Sequence, residues 1–173
     1  MSRPVIVVMG VAGSGKTTVG QLLARRLGVP YAEADAFHSA ANVDKMTAGV
    51  PLDDADRGPW LDAIAAWISQ QDGGVVTCSA LRHRYRERLR RADADLWFLH
   101  LDVPKDVIAV RMAQREGHFM PPSLINSQFA ALEPLHAGEA GGRVDATRSP
   151  ERIVEEVLTL VPPPGSPAPS SAG

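Results

Sequence analysis

Apolar residues in this chain gather into short runs, separated by stretches in which they recur every three or four positions. The runs Val5–Met9, Val29–Glu33, Val75–Cys78 and Leu96–Leu101, with a weaker one at Arg143–Asp145, have the length of buried strands. Between them the spacing is helical. After Lys16, the residues Val19, Leu22, Leu23 and Leu27 share one face, and Gly28 and Pro30 are stop signals. After Asp56, Leu61, Ile64, Ala65 and Ile68 form a second stripe, edged by Trp60 and Trp67, which read as core residues rather than ligand stackers. Pro104 opens a third helix. The last has Ser149 as its cap, Pro150 in first position, an apolar face from Ile153 to Val161, and Pro162 as its end. Strands alternating with helices predict an α/β fold, a parallel sheet covered on both faces. Residues 1–162 are expected to form one domain. Residues 163–173, almost all Pro, Ser, Gly and Ala, have nothing to bury and are expected to be a disordered tail.

Composition narrows the function classes. The 173 residues carry a net charge of −2, so no whole-surface attraction draws the chain to nucleic acid or to an anionic membrane. No segment is long enough to span a bilayer, and the apolar run after Arg3 is too short for a signal peptide. The lone cysteine, Cys78, lies in an apolar run and reads as a buried structural thiol in a reducing compartment. The expected location is the cytoplasm.

The chemistry is concentrated just after the first run. Gly10-Val11-Ala12-Gly13-Ser14-Gly15-Lys16-Thr17 matches the phosphate-binding loop, with a strand before it and a helix after it. Glycines let successive N–H groups turn inward around an anion, and the following helix points its positive end at the same place. Gly10, Val11, Ala12, Gly13, Ser14, Gly15, Lys16, Thr17 and Thr18 are therefore the candidate ATP-binding residues. Lys16 would reach the β- and γ-phosphates, and the Thr17 hydroxyl would ligate Mg²⁺.

Other residues point to a small-molecule kinase. The run Val75–Cys78 leads into Ser79-Ala80-Leu81-Arg82, without the aspartate that supports Mg²⁺ in many switch and motor proteins. The carboxylates come earlier, as Glu33 and Asp35. On an extended strand these two would share a face, one supporting Mg²⁺ through water and the other receiving the acceptor hydroxyl proton. Asp35 could alternatively cap the next helix. Arg111 and Arg115 lie one helical turn apart, just before a break at Gly117 and Pro121, an arrangement suited to a closing lid over about residues 111–125.

Together these residues resemble the gluconokinases of the phosphate-loop type, relatives of shikimate and nucleoside-monophosphate kinases. Besides the loop, the resemblance rests on Asp35-Ala36-Phe37-His38, Asn42, Lys45-Met46, Gly49, Pro51-Leu52, Asp54 and Asp56-Arg57. It continues through Pro59-Trp60-Leu61, Cys78-Ser79-Ala80-Leu81, Tyr85-Arg86, Arg115 and Gly117-His118-Phe119, spanning about residues 5–133. It implies a phosphate-loop NTPase fold with a five-stranded parallel sheet and a helical lid. It also implies Mg²⁺, in many members a homodimer, and phosphorylation of D-gluconate to 6-phospho-D-gluconate by ATP. The substrate carboxylate needs a cation, and Arg57 and Arg82 are the candidates. His38 and Lys45 could donate to substrate hydroxyls. Family members usually carry aspartate and glycine where this chain has Glu33 and Ala34. Other acceptors (shikimate, another sugar acid, a nucleoside monophosphate) and a non-catalytic nucleotide-binding regulator remain as alternatives.

Overall fold

The computed structural model describes residues 4–92, 95–114 and 122–162. Five parallel strands form one sheet: β1 (Val5–Met9), β2 (Tyr31–Glu33), β3 (Gly74–Thr77), β4 (Leu96–Asp102) and β5 (Gly141–Asp145), in the order β2-β3-β1-β4-β5. Seven helices lie among the described residues: α1 (Lys16–Leu27), α2 (Ala40–Thr47), α3 (Asp54–Ser69), α4 (His83–Leu89), α5 (Lys105–Gln114), α6 (Pro122–Ala131) and α7 (Pro150–Leu160). The expected 163–173 tail lies outside the described residues.

Alternation along the central strand creates two hydrophobic layers. Ile6 and Val8 of β1 face one side, with Val19 and Leu23 of α1, Ile108 of α5, and Val154 and Val157 of α7. Val5, Val7 and Met9 face the other, with Trp60, Ile64 and Ile68 of α3 and Leu89 of α4. Every β1 residue is buried, which explains why the run is apolar without alternation. Cys78 is buried in the second layer, and burial pushes its thiol up to about 12, so it is inert as a nucleophile.

The sequence-predicted helices form close to where their signals lie. Gly28 closes α1 in the left-handed conformation, φ 67°, and Ser149 caps α7 through Arg152 N–H. α3 starts two residues before Asp56, under a capping box between Asp53 and Asp56. β2 is shorter than expected. Val29 N–H is used by the carbonyl of Ala24 at the exit of α1, and Pro30 has no N–H to give a ladder.

The order places β1 beside both β3 and β4, so the chain leaves β1 toward one side of the sheet and later fills the other. Such a reversal opens a crevice at the carboxyl ends of the strands, where open α/β sheets bind ligands. The glycine-rich loop begins at that point.

Candidate active site

The loop leaves β1 at Gly10 and enters α1 at Lys16. It turns inward through Gly13 and Gly15, whose φ values of 81° and 95° are open to glycine and costly for other residues. Gly15 occupies the cap position of α1 but offers no side chain to its first-turn amides, and that turn carries no acid. The amides and the helix dipole therefore remain directed at an anion. The cleft in front of them measures about 580 Å³ and is bordered by the loop, Thr17, Thr18, Asp35, Arg111 and Arg148.

Three side chains hold this loop. Lys16 folds over it, donating from Nζ to the carbonyls of Gly10 at 2.8 Å and Val11 at 3.0 Å. Arg111 donates to the carbonyl of Gly13 at 3.1 Å and to that of Ala146 at 2.9 Å, tying the loop to the turn after β5. From α6, Gln128 Oε1 accepts the Ala12 N–H at 2.7 Å. Arg111 thus belongs to the nucleotide cleft, whereas Arg115 and the middle of the expected lid, residues 115–121, lie outside the described residues.

The acidic side differs from the sequence expectation. β2 ends at Glu33, and Asp35 sits in a 3-10 turn, Ala34–Phe37, so the two are not alternate residues of one strand. Asp35 does not cap α2 either; Ser39 does, accepting from Asn42 N–H at 3.1 Å. Asp35 borders the nucleotide cleft, and Glu33 is not among the residues lining it. Glu33 instead shares a face with Tyr31, whose hydroxyl donates to Glu33 Oε1 at 2.9 Å. Burial and this carboxylate push the Tyr31 hydroxyl up to about 12, against smaller opposing effects of the Thr77 and Thr17 hydroxyls.

A second cavity of about 370 Å³ lies between α3, α6 and the segment after β3, and it brings Arg57 and Arg82 together. Arg57 donates to the Tyr85 hydroxyl at 3.1 Å, and that hydroxyl donates to Asp54 Oδ1 at 2.9 Å. Arg82 faces Glu133 at 3.7 Å. The cavity wall includes Ala80, held at φ 44°, a conformation that costs a non-glycine residue about 1–2 kcal/mol. Arg86 compensates by donating to the Ala80 carbonyl at 2.8 Å.

Arg86 is fully buried, and its charge is met by Glu139, with Nε donating at 2.9 Å and a second nitrogen at 3.1 Å. Burial opposes the Glu139 charge, but Arg86, the His136 N–H and Arg90 hold its carboxyl down at about 2. His83 and His136 stack beside it, with ring centroids 4.1 Å apart. Both carboxylate oxygens are already committed to guanidinium and amide donors, so this cluster is an ion-pair hub and not a cation site.

The last two predicted contacts lie on the near side of α3. His38 stacks flat on Trp60, centroids 4.3 Å apart, and Trp60 Nε1 donates to the Ala34 carbonyl at 2.7 Å. Burial lowers the His38 pKa; the Asp35 charge opposes this and the Arg57 charge reinforces it. Lys45 pairs with Asp56 at 2.8 Å and lines neither cavity. Sequence reasoning did not single out Gln128, Tyr31 or Arg148 as site residues. Only Tyr31 had a local signal, its place two residues before Glu33.

An AAA domain family profile matches residues 6–121. The chain is 48% identical to a gluconokinase from Gluconobacter oxydans over 157 residues, covering 88% of each protein. The chain belongs to the gluconokinase family. The crystal structure of a gluconokinase from Sinorhizobium meliloti superposes with a TM-score of 0.85 at 42% identity, over 92% of this chain and 91% of that one. Shikimate kinase from Aquifex aeolicus shares the fold alone, at TM-score 0.60 and 19% identity over 90% of this chain and 95% of that one. Membership makes the protein an ATP-dependent small-molecule kinase with a phosphate-loop fold.

Proposed function

We propose that this protein transfers the γ-phosphoryl group of ATP to the terminal hydroxyl of D-gluconate, giving 6-phospho-D-gluconate. The observation that carries this reading is a pair of clefts whose walls are tied together: the Gly10 N–H of the loop donates to the carbonyl of Ser79, and Gln128 of α6 accepts from Ala12. One cleft is built for a triphosphate, and the other presents Arg57 and Arg82 to a small carboxylate. The names of the relatives supply the acceptor's identity.

In the mechanism, the loop amides and the α1 N-terminus hold the phosphate tail while Lys16 leaves its carbonyl partners for the β- and γ-phosphates. Arg57 and Arg82 anchor the acceptor carboxylate, so the opposite end of the linear acid points toward the loop. Asp35 accepts the proton of that hydroxyl and orients its oxygen for in-line attack. Arg111, at the rim of the same cleft, offsets charge on the phosphoryl in transit. His38 donates to an acceptor hydroxyl, and Lys45 keeps α2 against α3 through Asp56. Arg115 belongs to the same reading as a lid cation.

The Thr17 hydroxyl at the cleft fits Mg²⁺, a hard cation that takes oxygen donors, as a direct ligand, and Glu33, outside the cleft lining and bonded to Tyr31, would act only by way of water. Bound there, Mg²⁺ would neutralise the phosphate charge. A cytoplasmic enzyme, active as a homodimer, completes the reading; no described helix is long and apolar enough to cross a membrane. ADP release with ATP, Mg²⁺ and a panel of sugar acids, shikimate and nucleoside monophosphates tests it. Stimulation by gluconate is expected, and stimulation by every panel member except gluconate would overturn the acceptor assignment.

A further inference from the structure

Helix α6 touches both clefts. Ser127, Ala130 and Ala131 line the acceptor cavity, while Gln128 reaches the other way, to the Ala12 amide of the phosphate loop. A backbone N–H requires an acceptor, so the carboxamide must present Oε1 to Ala12. Gln128 and Ala12 are 116 positions apart in sequence, yet theirs is a short bond at 2.7 Å. The next residue of the loop is held from α5, where Arg111 bonds the Gly13 carbonyl. Two long-range contacts therefore fix consecutive residues of the loop, each from a different helix.

The direction of the triphosphate follows from the two cavities. The phosphoryl group to be transferred must face the acceptor, and the helix walling the acceptor cavity is the one that supplies Gln128. The Ala12 end of the loop is then the terminal-phosphate end, and the Gly15–Thr18 amides at the start of α1 hold the inner phosphates. We infer that Gln128 is a positioning residue: it sets the Ala12 peptide so that the loop is shaped for a terminal phosphate facing the acceptor cavity. This rests on the kinase reading of the two clefts, but not on which acceptor is used.

Its signature is discrimination between nucleotides. Gln128→Met keeps the length of the side chain and removes the acceptor. Losing one such bond should weaken the β,γ-imido analogue of ATP about three- to tenfold, with ADP changed less than about twofold. Gln128→Glu keeps an acceptor for Ala12 and adds a negative charge. It should weaken the analogue more than ADP, with a gap that narrows as salt is raised.

Calorimetric titration of each nucleotide into wild type and both variants, with Mg²⁺ and no acceptor, reads this directly. Equal losses for the two nucleotides, or a lower melting temperature with unchanged affinities, would overturn the role of Gln128 and leave the kinase reading standing. Wild-type protein that binds neither nucleotide would overturn both.

Discussion

The Tyr85 hydroxyl stands between Arg57 and Asp54, accepting from the arginine at 3.1 Å and donating to the carboxylate at 2.9 Å. The direct Arg57–Asp54 approach is only 3.9 Å, so the tyrosine is the closer support of the guanidinium. The bond from Tyr85 is also the main cause that holds Asp54 below the usual carboxylate range, keeping it charged opposite the arginine. An arginine steadied in this way can keep a flat face for an incoming carboxylate.

This relationship sets an order among variants. Arg57→Met should raise KM for gluconate about tenfold or more, the scale of a lost charge-assisted bond, with KM for ATP little changed. Tyr85→Phe should give a smaller rise in the same constant. Steady-state kinetics with each substrate varied checks both, and a larger effect on the ATP constant would move Arg57 out of the acceptor site.

Asp35 is placed by the 3-10 turn at the edge of the nucleotide cleft and is free of any capping duty. Asp35→Asn should lower kcat by about 10²–10⁴-fold, the range of general-base help, with ATP affinity nearly unchanged. Weaker ATP binding at a normal kcat would make it a nucleotide-side residue.

The hub at Glu139 makes a stability prediction. Its carboxyl falls from an ordinary 4.5 to about 2 in the folded protein. A depressed carboxyl stabilises the fold fully above about pH 4.5, and that contribution fades as pH falls toward 2. Glu139→Gln leaves the buried Arg86 charge unmatched and should cost about 3–5 kcal/mol at neutral pH. The gap from wild type should narrow between pH 4.5 and pH 2, read by urea unfolding at several pH values. Parallel pH curves for the two proteins would contradict the pairing.

How far the sequence could be read follows from how local each signal was. The strands, the phosphate loop and the capped α7 were all legible, because runs, glycines and caps act within a few residues. α4 gave no such sign: its sequence HRYRERL reads as a solvated face, yet Arg86 is fully buried because Glu139 meets it from 53 positions away. The Glu33 and Asp35 pairing failed for a local reason, since the chain turns into a 3-10 helix immediately after Glu33. Gln128 carried no local mark, because its partner is a backbone amide at the other end of the chain. Arg57 and Arg82 were legible as types suited to a carboxylate, and the fold lines one cavity with both.

The central claim is transfer from ATP to the far end of a linear acid held by its carboxylate. The most direct measurement is mass and phosphorus NMR spectra of gluconate incubated with the protein, Mg²⁺ and ATP. The account predicts a single phosphoryl group on the terminal carbon, matched by equimolar ADP. Unchanged gluconate, or a phosphoryl group beside the carboxylate, would contradict it.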